Sequence, residues 1–177
     1  MLRYLKGTAN FGLVYAKSET GRQIVGYADA NWATDINDRH STSGYLLQLY
    51  GSTTAWSSKK QRTVALSSTE AECSALADCI CEALWTCKLL EELKLLDRRP
   101  VKIFEDNQSA IAVAESDGPS NKMKHTEVKL SFIKQCVREG KIEVSYVPTA
   151  EQTADILTKG LPAASFVKHR SALGIRG

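Results

Sequence analysis

Residues Ile24 to Trp32, IVGYADANW, are apolar or small apart from Asp29 and Asn31, and such a run predicts a largely buried strand. The stretch after it, TDINDRHSTSG, is rich in turn formers. GYLLQLY, a glycine at Gly51 and STTAWSS then predict two further strands joined in a hairpin. Ahead of these three antiparallel strands, Leu2 to Lys6 fits the end of a helix and Phe11 to Tyr15 an apolar strand candidate. From about Ser68 the period changes. Cys73, Leu76, Ala77, Ile80, Leu84 and Cys87 recur at three- and four-residue steps, which marks one face of a long helix running to about Leu96. Ser67 to Glu70 and Thr69 to Glu72 both match the S/T-x-x-E capping box that starts a helix. Beyond Pro100, VKIFED predicts a fourth strand and NQSAIAVAES a short helix ending near Asp117, followed by a basic amphipathic helix from Lys124 to Arg138. IEVSYVP predicts a fifth strand closed by Pro148, and EQTADILTK and PAASFVKHRSAL two final helices. The order β-β-β-α-β-α-α-β-α describes an α/β fold, a mixed sheet with helices on its faces.

At 177 residues the chain has the size of one domain, and 43% hydrophobic with 24% charged residues is ordinary globular composition. No uncharged apolar stretch approaches the roughly 18 residues of a membrane helix, and MLRYLKGT lacks the apolar centre of a signal peptide, which sets membrane and secreted classes aside. Cys73, Cys79, Cys81, Cys87 and Cys136 include no C-x-x-C pair, so small buried hydrophobes in a reducing compartment are expected rather than a zinc or redox site. Net charge is only +3, but Lys59, Lys60 and Arg62 stand together without an acid, and Ser120 to Lys141 carries six basic residues against two Glu. Such runs either track phosphates or form a solvated face.

The carboxylates change the picture more. Asp29 lies in mid-strand among Val25, Tyr27, Ala30 and Trp32, where an uncompensated charge costs several kcal/mol, so a metal or a cationic partner is implied. Asp106 ends IFED where a strand meets a helix, a common ligand position in open sheets and equally a helix N-cap. Glu70 and Glu72 start the long helix, and Asp155 sits in the late segment TADILTK. Each alone fits a cap or a solvated side chain. Together, acids from a central strand, a helix start, a strand end and a late helix can converge at one sheet edge, and four such side chains suit two Mg²⁺ ions of a nuclease.

The sequence resembles the ribonuclease H domain that follows the reverse transcriptase in copia-type retrotransposon polyproteins. Eight ordered blocks carry the resemblance: LRYLKGT at 2–8, GYADANWA at 26–33, RHSTSGYL at 39–46, WSSKKQRTVALSSTEAE at 56–72, EALW at 82–85, EDNQSAI at 105–111, KHTEV at 124–128 and VPTAEQTADILTKGLP at 147–162. The resemblance implies a ribonuclease H-like fold with a five-stranded mixed sheet and helices on both faces. Residues 1–20 become the tail of the polymerase connection with the first strand region, and 21–177 the ribonuclease H domain. It implies hydrolysis of the RNA strand of RNA–DNA hybrids with two Mg²⁺, replaceable by Mn²⁺, in the cytoplasm within a virus-like particle, with the reverse transcriptase of the same polyprotein as partner.

By the same resemblance Asp29 bridges both metals, and one glutamate of SSTEAE, Asp106 and Asp155 complete the ligands. Helical phase does not separate the glutamates; the small Ala75 three residues after Glu72 matches the family's catalytic position and leaves Glu70 as a cap or accessory residue. Ser67, Ser68, Thr69, Asn107 and Gln108 fall where relatives touch the hybrid, and Lys59, Lys60 and Arg62 where DNA phosphates would lie. The chain departs from cellular ribonucleases H in lacking a histidine loop before the fourth carboxylate, since only Thr149 to Ala154 separate Pro148 from Asp155. His125 is the accessory candidate. Copia relatives usually carry a histidine where this chain has Ser131 and an aromatic where it has Cys73. Two alternatives remain beside the nuclease: a non-catalytic module that binds hybrid or braces the polymerase, and an integrase-like strand-transfer enzyme, which would show three acids.

Overall fold

A computed structural model of the chain describes residues 2–16, 24–95, 100–116, 118 and 127–177. It opens with a short helix, α1 (Leu2–Gly7), none of whose residues is buried, and a two-residue strand, β1 (Gly12–Leu13). Next come β2 (Ile24–Asn31), β3 (Thr42–Leu49) and β4 (Ser52–Lys60) as an antiparallel meander. Tyr50 and Gly51 turn the hairpin at positive φ, 54° and 77°, the hand that matches the twist of the strands they join. After the long helix α2 (Ser68–Glu92), β5 (Val101–Glu105) and β6 (Ile142–Tyr146) add in parallel on the other side of β2, with α3 (Gln108–Glu115) and α4 (Glu127–Arg138) between them in sequence. The spatial order is β4-β3-β2-β5-β6. The chain finishes with two 3-10 segments, Thr149–Glu151 and Thr153–Leu157, then α5 (Ala163–Ala172) and β7 (Ile175–Arg176).

Neighbouring leucines show why both faces of the sheet are covered. Leu46 and Leu47 of β3 are both fully buried, and successive strand residues point to opposite faces. Leu47 joins the main core with Leu76 and Ile80 of α2, Ile103 of β5 and Ile133 of α4. Leu46 packs on the other face with Ala154 and Leu173, next to Tyr27, Leu157 and Ile175. The fold is therefore the expected five-stranded mixed sheet with helices on both faces. Buried Ala71, Ala75, Ala77 and Ala83 let α2 lie close against β2 and β3. Cys73, Cys79 and Cys136 are buried free thiols, Cys87 is partly covered and Cys81 is exposed. Among the described residues no helix is long and apolar enough to cross a membrane.

Three details depart from the expected elements, and two expected boundaries lie outside the described residues. The helix α2 ends at Glu92 rather than near Leu96, because Lys94 takes a left-handed φ of 57° and the Leu95 N–H turns back to the Leu90 carbonyl. EQTADILTK is not one helix. Gln152, extended at φ −70° and ψ 97°, interrupts it with a side chain buried against the sheet, leaving only 3-10 turns on either side. The expected Phe11–Tyr15 strand shrinks to β1, which lies outside the main sheet and pairs with the unforeseen β7. The expected start of the basic helix at Lys124 lies outside the described residues, as does the boundary drawn at residue 20; within them α4 begins at Glu127.

One glycine sets how closely the 3-10 segment approaches β3. Gly44 pairs with Asp29 across the sheet, and a Cβ at Gly44 would lie 2.6 Å from Thr158 Cγ2 and 2.9 Å from Leu157 Cβ. Thr158 and Leu157 occupy that space. Gly44→Ala is expected to lower the free energy of unfolding by about 1–3 kcal/mol through overpacking, measured by urea titration. An unchanged midpoint with an unchanged slope would show that the segment moves aside at no cost.

Candidate metal centre

The site grows out of strand register. Tyr27 of β2 and Phe104 of β5 are paired, with ring centroids 5.1 Å apart. Two residues further along each chain, on the same side by strand alternation, stand Asp29 and Asp106. The ladder between β2 and β5 stops at Tyr27 and Phe104, short of the two aspartates. Beyond it the fully buried Gln152 is inserted, its amide donating to the carbonyl oxygens of Ala28 at 2.8 Å and Phe104 at 3.5 Å while its own oxygen accepts the Ala154 N–H. A crevice at the carboxyl ends of parallel strands is where open sheets place ligands.

Three elements meet there. Asp29, Glu72 and Asp106 each place a carboxylate oxygen within 4.8 Å of the others, with Asp29 and Glu72 buried and Asp106 half-buried. Glu72 descends from the second turn of α2. Glu70 does not join it, because its N–H donates to the Ser67 hydroxyl at 3.1 Å and its carboxylate accepts the Leu66 N–H at 2.8 Å. Of the two capping matches in the sequence, the structure forms Ser67 to Glu70. Asp155, buried in the Thr153–Leu157 segment, connects to the group through its neighbours. Lys159 Nζ lies 2.8 Å from Asp155 Oδ1 and 3.8 Å from Asp29 Oδ1, and the Thr158 hydroxyl donates to Asp29 Oδ2. Asn31 Nδ2 and the Ser58 hydroxyl donate to the carbonyls of Thr158 and Leu157, pinning this segment to β2 and β4.

Burial and mutual repulsion shape the electrostatics. Desolvation pushes Asp29 up to about 6, against the opposing pull of Thr158 and Lys159. Glu72 is pushed up to about 10, first by burial and then by the charges of Glu105 and Asp29. Glu105, fully enclosed, is driven well up by burial although the Asn107 N–H donates to it at 3.0 Å. Burial raises Asp155 as well, with Lys159 pulling the other way. Burial lowers Lys159, but its bond to Asp155 and the charge of Asp29 outweigh that and hold it above the usual lysine value. Glu72 Oε2 and Glu105 Oε2 are buried and have no hydrogen-bond partner among the described residues. Burial and mutual repulsion thus disfavour the charged forms in this pocket of oxygens, and a cation bound there would offset that.

The remaining candidates surround the cluster unevenly. Ser67 is the N-cap of α2, Ser68 is exposed and Thr69 half-buried in its first turn. Asn107 caps α3, its side-chain oxygen accepting the N–H groups of Ser109 and Ala110, and Gln108 is exposed beside it. Lys59, Lys60 and Arg62 line a polar cleft of about 410 Å³ together with Ser43, Ser74 and Lys129. Lys59 pairs with Asp78 at 3.1 Å, and Lys60 bridges Asp35 and Asp38 at 2.5 and 2.6 Å. Arg62 is exposed and makes no ion pair among the described residues. His125 lies outside the described residues.

Glu105, Gln152, Thr158 and Lys159 were not singled out by sequence, although two signals were available. Alternation along VKIFE puts Glu105 on the core face with Val101 and Ile103. Thr158 and Lys159 follow Asp155 by three and four residues, the spacing of neighbours on one helical face.

No protein-family model matches the chain. It is 39% identical over 175 residues to the retrovirus-related Pol polyprotein from transposon RE1 of Arabidopsis thaliana, and 35% identical over 175 residues to that from transposon TNT 1-94 of Nicotiana tabacum. Both matches cover 99% of this chain but only 12% and 13% of the polyproteins. Among solved structures, LC11-RNase H1 isolated from compost superimposes with a TM-score of 0.58 at 18% identity, covering 78% of this chain and 94% of that one. The same enzyme in complex with an RNA/DNA hybrid gives a TM-score of 0.55, covering 77% and 94% of the two chains at 18% identity.

The raised carboxylates fix the sign of a pH dependence. A group that holds its proton more tightly when folded stabilises the fold below its ordinary value and loses that contribution as pH rises through its folded value. For Asp29 the loss runs from 3.8 to about 6, and for Glu72 from 4.5 to about 10. In chelator, the melting temperature is expected to fall steadily between about pH 5 and pH 9, and Glu72→Gln to flatten the upper part of that slope. Calorimetry across that range checks both; equal slopes in the two proteins would show that Glu72 is ionised in the metal-free fold.

Proposed function

The chain belongs to the retrovirus-related Pol polyproteins of copia-type transposons and has the ribonuclease H fold, and from that premise we propose that it is a metal-dependent nuclease hydrolysing the RNA strand of RNA–DNA hybrids. The observation that carries this reading is the convergence of Asp29, Glu72 and Asp106 from three separate elements. Their donors suit a hard divalent cation, being carboxylate oxygens throughout, and the buried Glu72 Oε2 has no hydrogen-bond partner among the described residues. Two Mg²⁺, replaceable by Mn²⁺, are proposed, one held by Asp29, Glu72 and Asp106 and the other by Asp29 and Asp155. Bound there, such ions lower the pKa of attacking water and stabilise the leaving oxygen of a phosphodiester.

Placement is the protein's own contribution. Two hydrogen-bonded strands hold Asp29 and Asp106 side by side, α2 brings Glu72 to them, and the Thr158 hydroxyl fixes the orientation of Asp29. The helix starts at Ser67, Ser68 and Thr69 and at Asn107 and Gln108 flank the cluster, and their groups can donate to and accept from the 2′-hydroxyls of an A-form minor groove. Ser68 and Gln108, exposed and free of capping duty, are the foremost of these contacts. The cleft of Lys59, Lys60 and Arg62 is assigned to phosphates of the DNA strand, which adds affinity without sequence choice. The reverse transcriptase of the same polyprotein is the proposed partner, in a cytoplasmic virus-like particle. The hybrid bound to LC11-RNase H1 supports the choice of substrate.

Labelled hybrid, duplex DNA and duplex RNA incubated with Mg²⁺ or chelator test the assignment. Cleavage of the RNA strand of the hybrid alone, abolished by chelator, is expected. Asp29→Asn should remove it while leaving the circular dichroism spectrum intact. Glu72→Gln should lose most activity, whereas Glu70→Gln should keep much of it and lose about 1 kcal/mol of stability through the cap. Hybrid binding without any cleavage in Mg²⁺ or Mn²⁺ would instead identify a non-catalytic module.

A further inference from the structure

The carboxylates divide into two halves that differ in what neutralises them. In the first, Asp29, Glu72 and Asp106 stand together, and no lysine or arginine among the described residues lies within ion-pair distance of Glu72 or Asp106. In the second, Asp29 and Asp155 already share a cation, since Lys159 Nζ is 2.8 Å from one and 3.8 Å from the other. The lysine side chain is 31% exposed while the two carboxylates are 2% and 6% exposed, so its ammonium plugs the pair from the solvent side. Its backbone N–H donates to the Asp155 carbonyl at 3.1 Å, which fixes the base of the side chain beside the site.

We propose that Lys159 is a built-in competitor for one of the two divalent ions, a positioning residue that holds Asp29 and Asp155 together in the metal-free protein and must swing out before that half of the site can take a metal. This rests on the assignment of the cluster as a metal centre. One ion then enters the three-carboxylate half without displacing any protein cation, and the second binds more weakly because an ammonium leaves first. The flexible stem and partial exposure of Lys159 give the displaced ammonium a path to solvent or to a nearby phosphate.

Mn²⁺ binding to the full chain, followed by electron paramagnetic resonance of the free ion and by calorimetry, tests this without reference to activity. Wild type is expected to show one tighter and one weaker site. Lys159→Met should tighten the weaker site by about tenfold and leave the tighter one unchanged, whereas Lys159→Arg should retain the wild-type inequality. Lys159→Gln, which keeps a hydrogen bond to Asp155 without the charge, serves if the methionine variant does not fold, and should also tighten the weaker site. In chelator the neutral variants should melt lower than wild type and gain more from added Mn²⁺. Unchanged or weakened second-site affinity in both neutral variants overturns the role of Lys159 while the metal assignment stands. Failure of wild type to bind any Mn²⁺ overturns the metal assignment and this inference with it.

Discussion

The arrangement turns on an unfavourable placement: acidic groups gathered where a parallel pair of strands stops and water is largely excluded. Ionised carboxylates in such surroundings cost several kcal/mol each unless neutralised. The fold meets this cost in three ways. Proton affinity rises at Asp29 and further at Glu72. Directed hydrogen bonds come from Thr158 to Asp29 and from the Asn107 N–H to Glu105. A single ammonium, that of Lys159, is brought in from a neighbouring segment. Much of the surrounding architecture serves these three devices, from the bare Cα of Gly44 that admits Thr158 to the amide of Gln152 that closes the gap between β2 and β5.

How legible this was in the sequence depended on the range of the interactions. The five strands and the long helix announced themselves through local patterns, because apolar alternation and a three- and four-residue period are properties of a segment alone. Asp29 stood out for the same reason, as a charge where the local pattern demanded none. Choosing between Glu70 and Glu72 needed the third dimension. Helical phase placed both beside the apolar stripe, and only the short bond from the Leu66 N–H shows that Glu70 faces its own helix start. Local preference predicts a helix over EQTADILTK, whereas the geometry there is dictated by Gln152 reaching into the sheet at Ala28, 124 positions away in the chain. Nothing near Gln152 in sequence encodes that contact.

The site is built from elements of unequal rigidity. Asp29 projects from β2, Asp106 directly follows β5, and Glu72 comes from the buried N-terminal half of α2, all next to the main core. Asp155 lies in a 3-10 stretch, and Thr158 and Lys159 directly follow it, seated on the smaller cluster around Leu46, Ala154 and Leu173. Fewer buried neighbours and poorer hydrogen-bond geometry make such a stretch the softer partner. A centre that is stiff on one side and compliant on the other can admit charge without rebuilding its frame, which is consistent with a lysine there that can change places.

The ion pairs of the basic cleft would limit what a polyanion gains by binding there. Lys59 has Asp78 as an internal counterion, and Lys60 has both Asp35 and Asp38. Binding to a nucleic acid gains much of its free energy from the small cations that protein charges set free from the phosphates. A lysine whose charge is already offset within its own protein must either leave its acid or bring that acid along, and in both cases it liberates fewer ions than a bare one. Of the four basic side chains that line the cleft, Lys59 and Lys60 carry counterions of their own, whereas Arg62 and Lys129 are in no ion pair among the described residues. A polyanion bound at that cleft would therefore gain less from Lys59 and Lys60 than their number suggests, and its binding would depend less steeply on salt than four unpaired cations would make it.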